Sequence, residues 1–391
     1  MFSDRTSWTL SHNRLTQTLE GLRSSGARVL DLTISNPTRA SLRYDEPLLL
    51  RSLASPQAMD YDPQPKGLPS ARAAIGEYYE TTHGIRNLDP ERLILTTSTS
   101  EGYSFVFRLL CNPGDEVLVP KPSYPLFEFL ADLQDVKLVP YPLIYDHGWQ
   151  IDFPSLEQVV TERTRGVVVV HPNNPTGSYV HPPERESLNH LCREHGLALI
   201  ADEVFVDYAH DRCARQSFAA SPDVLTFTLS GISKISALPQ MKVAWIVTGG
   251  PAAEVESAQA RLEVIADTFL SMNAPVQHAV PALLWQRQSI QEQLMDRVIT
   301  DLAELDRQIA TQTTCQRLNL EGGWYAVLRV PVTQTDEELA VDLLRRKSVL
   351  VHPGHFYDFP SDGYLVLSLI TPPAEFAEGI SRILELMIDD F

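Results

Sequence analysis

Cysteine is scarce in this sequence of 391 residues: Cys111, Cys192, Cys213 and Cys315 lie far apart and form neither a CxxC pair nor a metal-ligand spacing. That scarcity argues against a disulfide framework or a structural zinc site, and for reduced thiols in a cytoplasmic protein. Long apolar runs are missing too, none approaching the roughly 20 residues of a membrane helix. The opening stretch MFSDRTSWTLSHNRL has polar and charged residues where a signal peptide needs an apolar core. Basic residues are the third shortage. The 32 Lys and Arg face 50 Asp and Glu, a formal net charge of −18. A surface of that sign repels nucleic acid and anionic membranes, which leaves small molecules and protein partners.

What remains is an ordinary globular composition, 43% hydrophobic and 21% charged, with length enough for two domains. Leu15, Leu19 and Leu22 share one helical face, and Ser24-Ser25-Gly26 stops that helix. Val29–Ile34 reads as a strand running into the turn Ser35-Asn36-Pro37. From about residue 70 to 250, short strands alternate with helical patterns. The strands are Leu93–Leu95, Glu116–Val119, Gly166–His171, Ala198–Ala201, Val224–Leu229 and Val243–Val247. They are apolar throughout, as in a sheet covered on both faces, so a three-layer α/β/α domain with a mainly parallel sheet is predicted. After residue 275 comes an α+β pattern. It holds a long helix through Leu294, Val298, Ile299, Leu302, Leu305 and Ile309, a strand in WYAVLRV, a helix over Asp336–Lys347, strands near Val349–His352 and Tyr364–Ile370, and a last helix from Ala374. The expected division is a large domain over 46–280 and a smaller α+β domain from 1–45 and 281–391.

Four unusual stretches fall at strand ends, where ligands collect in such sheets. TTSTSEGYSFVF (96–107) sets Thr and Ser residues at a helix start, where free N–H groups and the helix dipole suit a phosphate; Thr99 or Ser100 as a simple N-cap is the plainer reading. HPNNPTG (171–177) is a tight turn that holds Asn amides at a strand end. LALIADEVFVDY (197–208) ends a buried strand in Asp202-Glu203, an acidic pair that needs a partner; Asp207, His210 and Asp211 nearby match no metal-ligand spacing. SGISKISALPQMK (230–242) places Lys234 among small and apolar residues and a second lysine eight positions on. A lysine in apolar surroundings loses its proton more easily, as a Schiff-base lysine must.

In that order, these motifs resemble the fold-type I pyridoxal-phosphate enzymes, specifically the class I/II aminotransferases, from about Leu30 to Ile388. The resemblance implies that Lys234 forms an internal aldimine with pyridoxal 5'-phosphate and shuttles the proton between Cα and C4′. It also implies that Asp202 pairs with the pyridinium nitrogen, Asn174 donates to the ring 3-oxygen and Tyr124 stacks on the ring. Thr99 and Ser100 match the phosphate loop, Lys242 the phosphate's counterion, and Tyr61 a tyrosine that reaches the neighbouring subunit of a homodimer.

Three positions depart from the family pattern. Phe205 stands where a tyrosine is common, removing one donor to the ring oxygen. Gly231 stands where a phosphate-binding serine is frequent, so Ser230 or Ser233 would have to substitute, with Ser230 the choice. Val366 replaces the Arg that grips the substrate carboxylate, and the cations nearest in sequence logic are Arg39 and Arg43, in the loop of Asn36, and His355. An aminotransferase is the expected activity. A carbon–sulfur β-lyase or another elimination or decarboxylation on the same fold is the alternative, and a non-catalytic effector domain ranks last.

Overall fold

The computed structural model describes residues 2–125, 127–212, 215–219 and 221–389, so Cys213 lies outside the described residues. Its strands, in chain order, are β1 (Leu30–Asp31), β2 (Leu93–Thr96), β3 (Glu116–Lys121), β4 (Lys137–Tyr145), β5 (Trp149–Ile151), β6 (Thr164–Val170) and β7 (Ala198–Asp202). They continue with β8 (Thr226–Gly231), β9 (Ala244–Gly249), β10 (Gln316–Arg317), β11 (Tyr325–Arg329), β12 (Val349–Leu350), β13 (His352–Pro353) and β14 (Tyr364–Ser368). Eight of them form one sheet in the order β2-β9-β8-β7-β6-β3-β4-β5. The run from β8 through β7, β6 and β3 to β4 is parallel, while β9 opposes both β2 and β8 and β5 opposes β4.

The uniformly apolar strands explain the layering. On β6, Val167 and Val169 enter one core while Val168 and Val170 enter the other; on β7, Leu199 and Ala201 oppose Ile200 in the same way. Alternate side chains leave opposite faces of a strand, so both faces are buried. The helices Thr99–Leu110 and Ala252–Phe269 cover one face. The result is the expected three-layer α/β/α architecture.

A four-stranded antiparallel sheet, β10-β11-β14-β13, forms the second, α+β part, and β1 pairs in parallel with β12. The strand expected over Val29–Ile34 shrinks to two residues because Thr33 N–H turns to Asp31 Oδ1 at 2.9 Å. Ser368 then anchors the chain on either side of that turn: its N–H donates to Leu32 O at 2.7 Å and its hydroxyl to Ile34 O at 2.5 Å. Strand β4 carries Pro140 and Pro142 and was not legible in the sequence; proline is tolerated there because β4 lies near the sheet edge with β5 as a short outer partner.

Register sets the site. Val170 pairs with Asp202, Asp202 with Leu229, and both Gly231 and Thr96 with Ala244. The carboxyl ends of β2, β6, β7 and β8 therefore line one side of the sheet, and all four motifs emerge there. The turn after β6 docks onto the chain before β11 through Gly177, whose carbonyl accepts from Glu321 N at 3.1 Å and Gly322 N at 3.0 Å. Gly177 has φ +70°, and a Cβ there would stand 2.6 Å from Gly322 O. Gly177→Ala is expected to cost about 1–3 kcal/mol from backbone strain and crowding, read as a fall of several degrees in the thermal midpoint; an unchanged midpoint would exclude this account of the turn.

Candidate active site

Strand β8 delivers Lys234 on a short helix, Ile232–Ile235, that starts directly after Gly231. A Cβ at 231 would meet Val243 O at 2.8 Å and the Ala244 Cα at 2.9 Å, so in this chain no side chain, and no serine hydroxyl, fits there. The Ser230 expectation needs correction. Ser230 is buried and its hydroxyl donates to Glu203 O at 3.3 Å, which takes it out of the site, whereas Ser233 has no protein partner among the described residues.

Lys234 keeps a little solvent contact but is closely surrounded. Its Nζ donates to Ser35 O at 3.4 Å and stands 5.1 Å from the Trp324 ring centre and 5.4 Å from that of Phe205. Burial lowers its pKa to about 8, against the opposing pull of the Asp202 charge. Asp202 closes β7, accepting from Tyr103 Oη at 3.1 Å and Val204 N at 3.2 Å. Burial raises its pKa to about 6, and the Val204 N–H, the Tyr103 hydroxyl and the Lys234 charge restrain the rise. No direct ion pair joins Lys234 and Asp202, so a gap separates their charges at the ends of adjacent strands, though each charge acts on the other.

The turns at the same side of the sheet carry polar groups without partners. Asn173 accepts from Thr176 N–H at 3.3 Å and from its hydroxyl at 3.0 Å, which shapes the turn. Asn174, only 8% exposed, has a carboxamide with no hydrogen bond among the described residues, and its Oδ1 is fully enclosed. Buried polar groups are almost always paired, so this amide is set for something outside the chain. The helix Thr99–Leu110 is capped by Ser98, whose Oγ accepts from Glu101 N at 3.2 Å. Capping by Thr99 or Ser100 is thus corrected. Their hydroxyls stay free at a helix N-terminus, where anions are favoured. Lys242, exposed and in left-handed backbone at φ +54°, lies two residues before Ala244, in register with Thr96 and Gly231.

Tyr124 is half-exposed and packs edge-on against Phe127, 6.5 Å between ring centres; burial and the Asp202 charge raise its hydroxyl pKa. It lines a cavity of about 500 Å3 with His355 and the ion pair of Lys121 and Asp358, 2.9 Å apart. Tyr61, 84% exposed, borders a different cavity of about 570 Å3 whose walls contain none of the groups around Lys234.

In the loop after β1, Ser35 touches Lys234, while Asn36 turns its Oδ1 to Thr38 N–H at 3.0 Å and to its hydroxyl at 2.8 Å. Arg39 is exposed and makes no ion pair among the described residues. Arg43 is exposed too, but its backbone is held by Gln293 at 2.9 and 3.1 Å. Val366 is buried in β14 between Val327 and His352. It shares a face with Ser368, which reaches Ile34. His352 bonds Tyr357 Oη at 3.0 Å, and burial lowers its pKa to about 4, so Val366 has no cation directly beside it; Arg329, one pair along the same face opposite Tyr364, lies over the rings of Tyr145 and Tyr364. Sequence reasoning missed Tyr103 and Trp324. Tyr103 lies one helical turn after Thr99 and was legible in principle; Trp324 arrives from a distant segment with no local signal.

The family model for aminotransferase class I and II matches residues 34–383. Alanine aminotransferase of Mycobacterium tuberculosis is 30% identical over 374 residues, covering 93% of this chain and 86% of that protein. The glutamate-pyruvate aminotransferase AlaA of Haemophilus influenzae is 29% identical, covering 94% and 93%. Among solved structures, an Escherichia coli aminotransferase aligns with TM-score 0.87 at 26% identity over 99% of this chain and 98% of its own. The alanine aminotransferase of Pyrococcus furiosus aligns over both full chains with TM-score 0.90 at 22% identity, a likeness of fold.

The lowered Lys234 pKa carries a stability consequence. The folded value of about 8 lies below the unfolded one, which is near 10.4. The unfolded chain therefore binds more protons between those values; the buried charge destabilises fully below about pH 8, and the effect fades as pH rises. Lys234→Met is expected to stabilise the ligand-free protein at pH 7 by on the order of 1–3 kcal/mol. Thermal scans should show that gain shrinking by about pH 10; a gain independent of pH, or a loss at pH 7, would reject the burial account.

Proposed function

The chain belongs to the class I and II aminotransferases and is a transaminase, and from that premise we propose that it holds pyridoxal 5'-phosphate at Lys234 and passes an amino group between a small amino acid and a 2-oxo acid. The observation that carries this reading is a lysine of lowered pKa after β8 that feels the charge of Asp202 at the end of the adjacent strand β7, with the buried Asn174 amide unpartnered in the turn after β6. The residues fit the group. Asp202 would hold the proton of its ring nitrogen, Asn174 would bond its ring oxygen, and Tyr124 would lie over its face. Thr99, Ser100, Ser233, Lys242 and the helix N-terminus would take its phosphate. When bound, pyridoxal phosphate supplies an electron sink that lets the substrate Cα–H bond ionise.

The protein's own part is positioning and proton transfer. With a pKa of about 8, Lys234 is roughly one-tenth free base at pH 7. Its Nζ takes the proton from the substrate Cα and returns it as general acid. Phe205 and Trp324 keep bulk water from that nitrogen. Asp202, whose carboxyl burial lifts to about 6, would be held ionised by a cationic ring nitrogen facing it.

We take residues 46–280 as the cofactor-binding domain and 1–45 with 281–391 as the smaller one. The enzyme is proposed to be a cytoplasmic homodimer, with Tyr61 reaching the phosphate of the second copy; its exposure and separation from its own Lys234 support that. The relatives' names support alanine, glutamate and their 2-oxo acids as first substrates and do not favour elimination. Because Val366 and neutral His352 offer no cation at that position, and Arg329 on the same face is engaged with the rings of Tyr145 and Tyr364, the substrate carboxylate is assigned to Arg39, four residues beyond Ser35, with Arg43 and His355 as the other candidate cations.

Two experiments test this. Mixing the loaded protein with single amino acids should release the matching 2-oxo acid stoichiometrically without ammonia, and Lys234→Ala should release none. Pyruvate plus ammonia from a cysteine conjugate would instead establish elimination. For the clamp, Arg39→Ala should raise the donor KM about 10- to 100-fold, the size of a lost charge-assisted bond, with Arg43→Ala within about two-fold; equal, small effects would remove Arg39 from that role.

A further inference from the structure

The turn that carries Lys234 is held from outside by three side chains. Tyr208 Oη donates to Lys234 O at 2.6 Å, Gln291 Nε2 to Ile235 O at 2.9 Å, and Tyr44 Oη to Ala237 O at 2.8 Å. The Ile235 and Ala237 carbonyls have no backbone partner among the described residues, while Lys234 O also accepts from Ala237 N–H at 3.1 Å. Ala237 adds strain, with φ +52° for a residue that has a Cβ.

Gln291 does more than cap. The same Nε2 also donates to Asp207 Oδ2 at 2.7 Å. Both acceptors require the NH2 group, so both of its hydrogens are committed and the orientation of the carboxamide is fixed. Asp207 is anchored in turn, with its side chain 2% exposed. Its Oδ1 accepts from Tyr78 Oη at 2.9 Å and lies 3.0 Å from His83 Nε2, a ring 1% exposed. Burial alone would lower the His83 pKa, but the bond to Asp207 and its charge outweigh burial and raise it.

We infer that Gln291 is a positioning residue for Lys234, tying the lysine's turn to the buried Asp207–His83–Tyr78 cluster so that Nζ stays between Phe205 and Trp324 and opposite Asp202. The cluster touches neither Lys234 Nζ nor the gap beside it. Its effect passes through the Ile235 carbonyl, and Tyr208, next to Asp207 in sequence, fixes the preceding carbonyl. A misplacement of about 1 Å at a reacting group costs on the order of 100-fold in rate, so a turn that must present one amine gains from being held at three points. This inference rests on the reading of Lys234 as the catalytic amine.

The test measures the lysine itself before any turnover. Competitive acetylation of the cofactor-free protein between pH 6 and 10, read by peptide mass spectrometry, gives the pKa of Lys234. Gln291→Leu keeps the volume and removes both bonds. A loosened turn hydrates the amine, so the Lys234 pKa should rise by about one unit, toward the ordinary 10.4, and kcat should fall about ten-fold while the donor KM stays within two-fold. Tyr208→Phe, which deletes one hydroxyl, should shift both in the same direction and serves if the Leu variant fails to accumulate. A lowered wild-type pKa that neither variant changes, with kcat intact, overturns the positioning role and leaves the proposed function standing. A wild-type Lys234 that labels as an ordinary surface lysine overturns both.

Discussion

Two opposed charges at the ends of adjacent strands organise this molecule. Asp202 closes β7 and Lys234 follows β8, and the pairing of Asp202 with Leu229 brings both to one side of the sheet. Burial pushes each toward neutrality, the carboxyl up to about 6 and the ammonium down to about 8, while each charge steadies the other. Without direct contact they cannot cancel each other fully. The elements that deliver them pack into apolar cores on both faces, so the sheet supplies the stability that the site gives up. The phosphate loop, the Asn turn and Lys242 converge because strand register leaves them no other end to occupy.

Much of this was readable beforehand, for identifiable reasons. Strands β6, β7 and β9 announce themselves by short apolar runs and β8 by its Val, Leu, Thr and Phe residues, and the helix over Asp336–Lys347 by its capping box of Thr335 and Glu338 and a basic last turn. Lys234, Asp202 and Asn174 were visible because polar residues at the ends of apolar strands demand an explanation. Strand β4 stayed hidden behind Pro140 and Pro142. The cap at Ser98 was misplaced by a residue or two because Ser and Thr fill the whole segment. Trp324, Gln291 and Tyr44 reach the site from remote parts of the chain, and only tertiary packing reveals them.

The departures from the family pattern acquire causes in the structure. Gly231 is a matter of space, since Val243 and Ala244 lie against its backbone. Phe205 keeps an aromatic ring near Lys234 Nζ but lacks the tyrosine hydroxyl, giving up a donor and leaving the ring wholly apolar beside the amine. Val366 belongs with its neighbours: Val327 and a neutral His352 flank it, and Arg329, the cation on that face, is one pair away over the rings of Tyr145 and Tyr364. A carboxylate placed against Val366 would be buried without a counter-charge, which costs several kcal/mol. The proposed clamp lies instead in the loop that Ser368 pins through Leu32 and Ile34.

That displacement clarifies why the lysine's turn is so heavily braced. Ala237 and Lys242 both hold left-handed backbone, conformations that a residue with a Cβ adopts only when its surroundings enforce them. Segments from before β2 and after β9 supply Tyr44 and Gln291, the first just past the loop that carries Arg39. The same N-terminal stretch thus sets Ser35 against Lys234, carries Arg39, the proposed substrate cation, and fixes Ala237. Substrate recognition and amine geometry rest on one short piece of chain, so a change in how that piece packs reaches both at once.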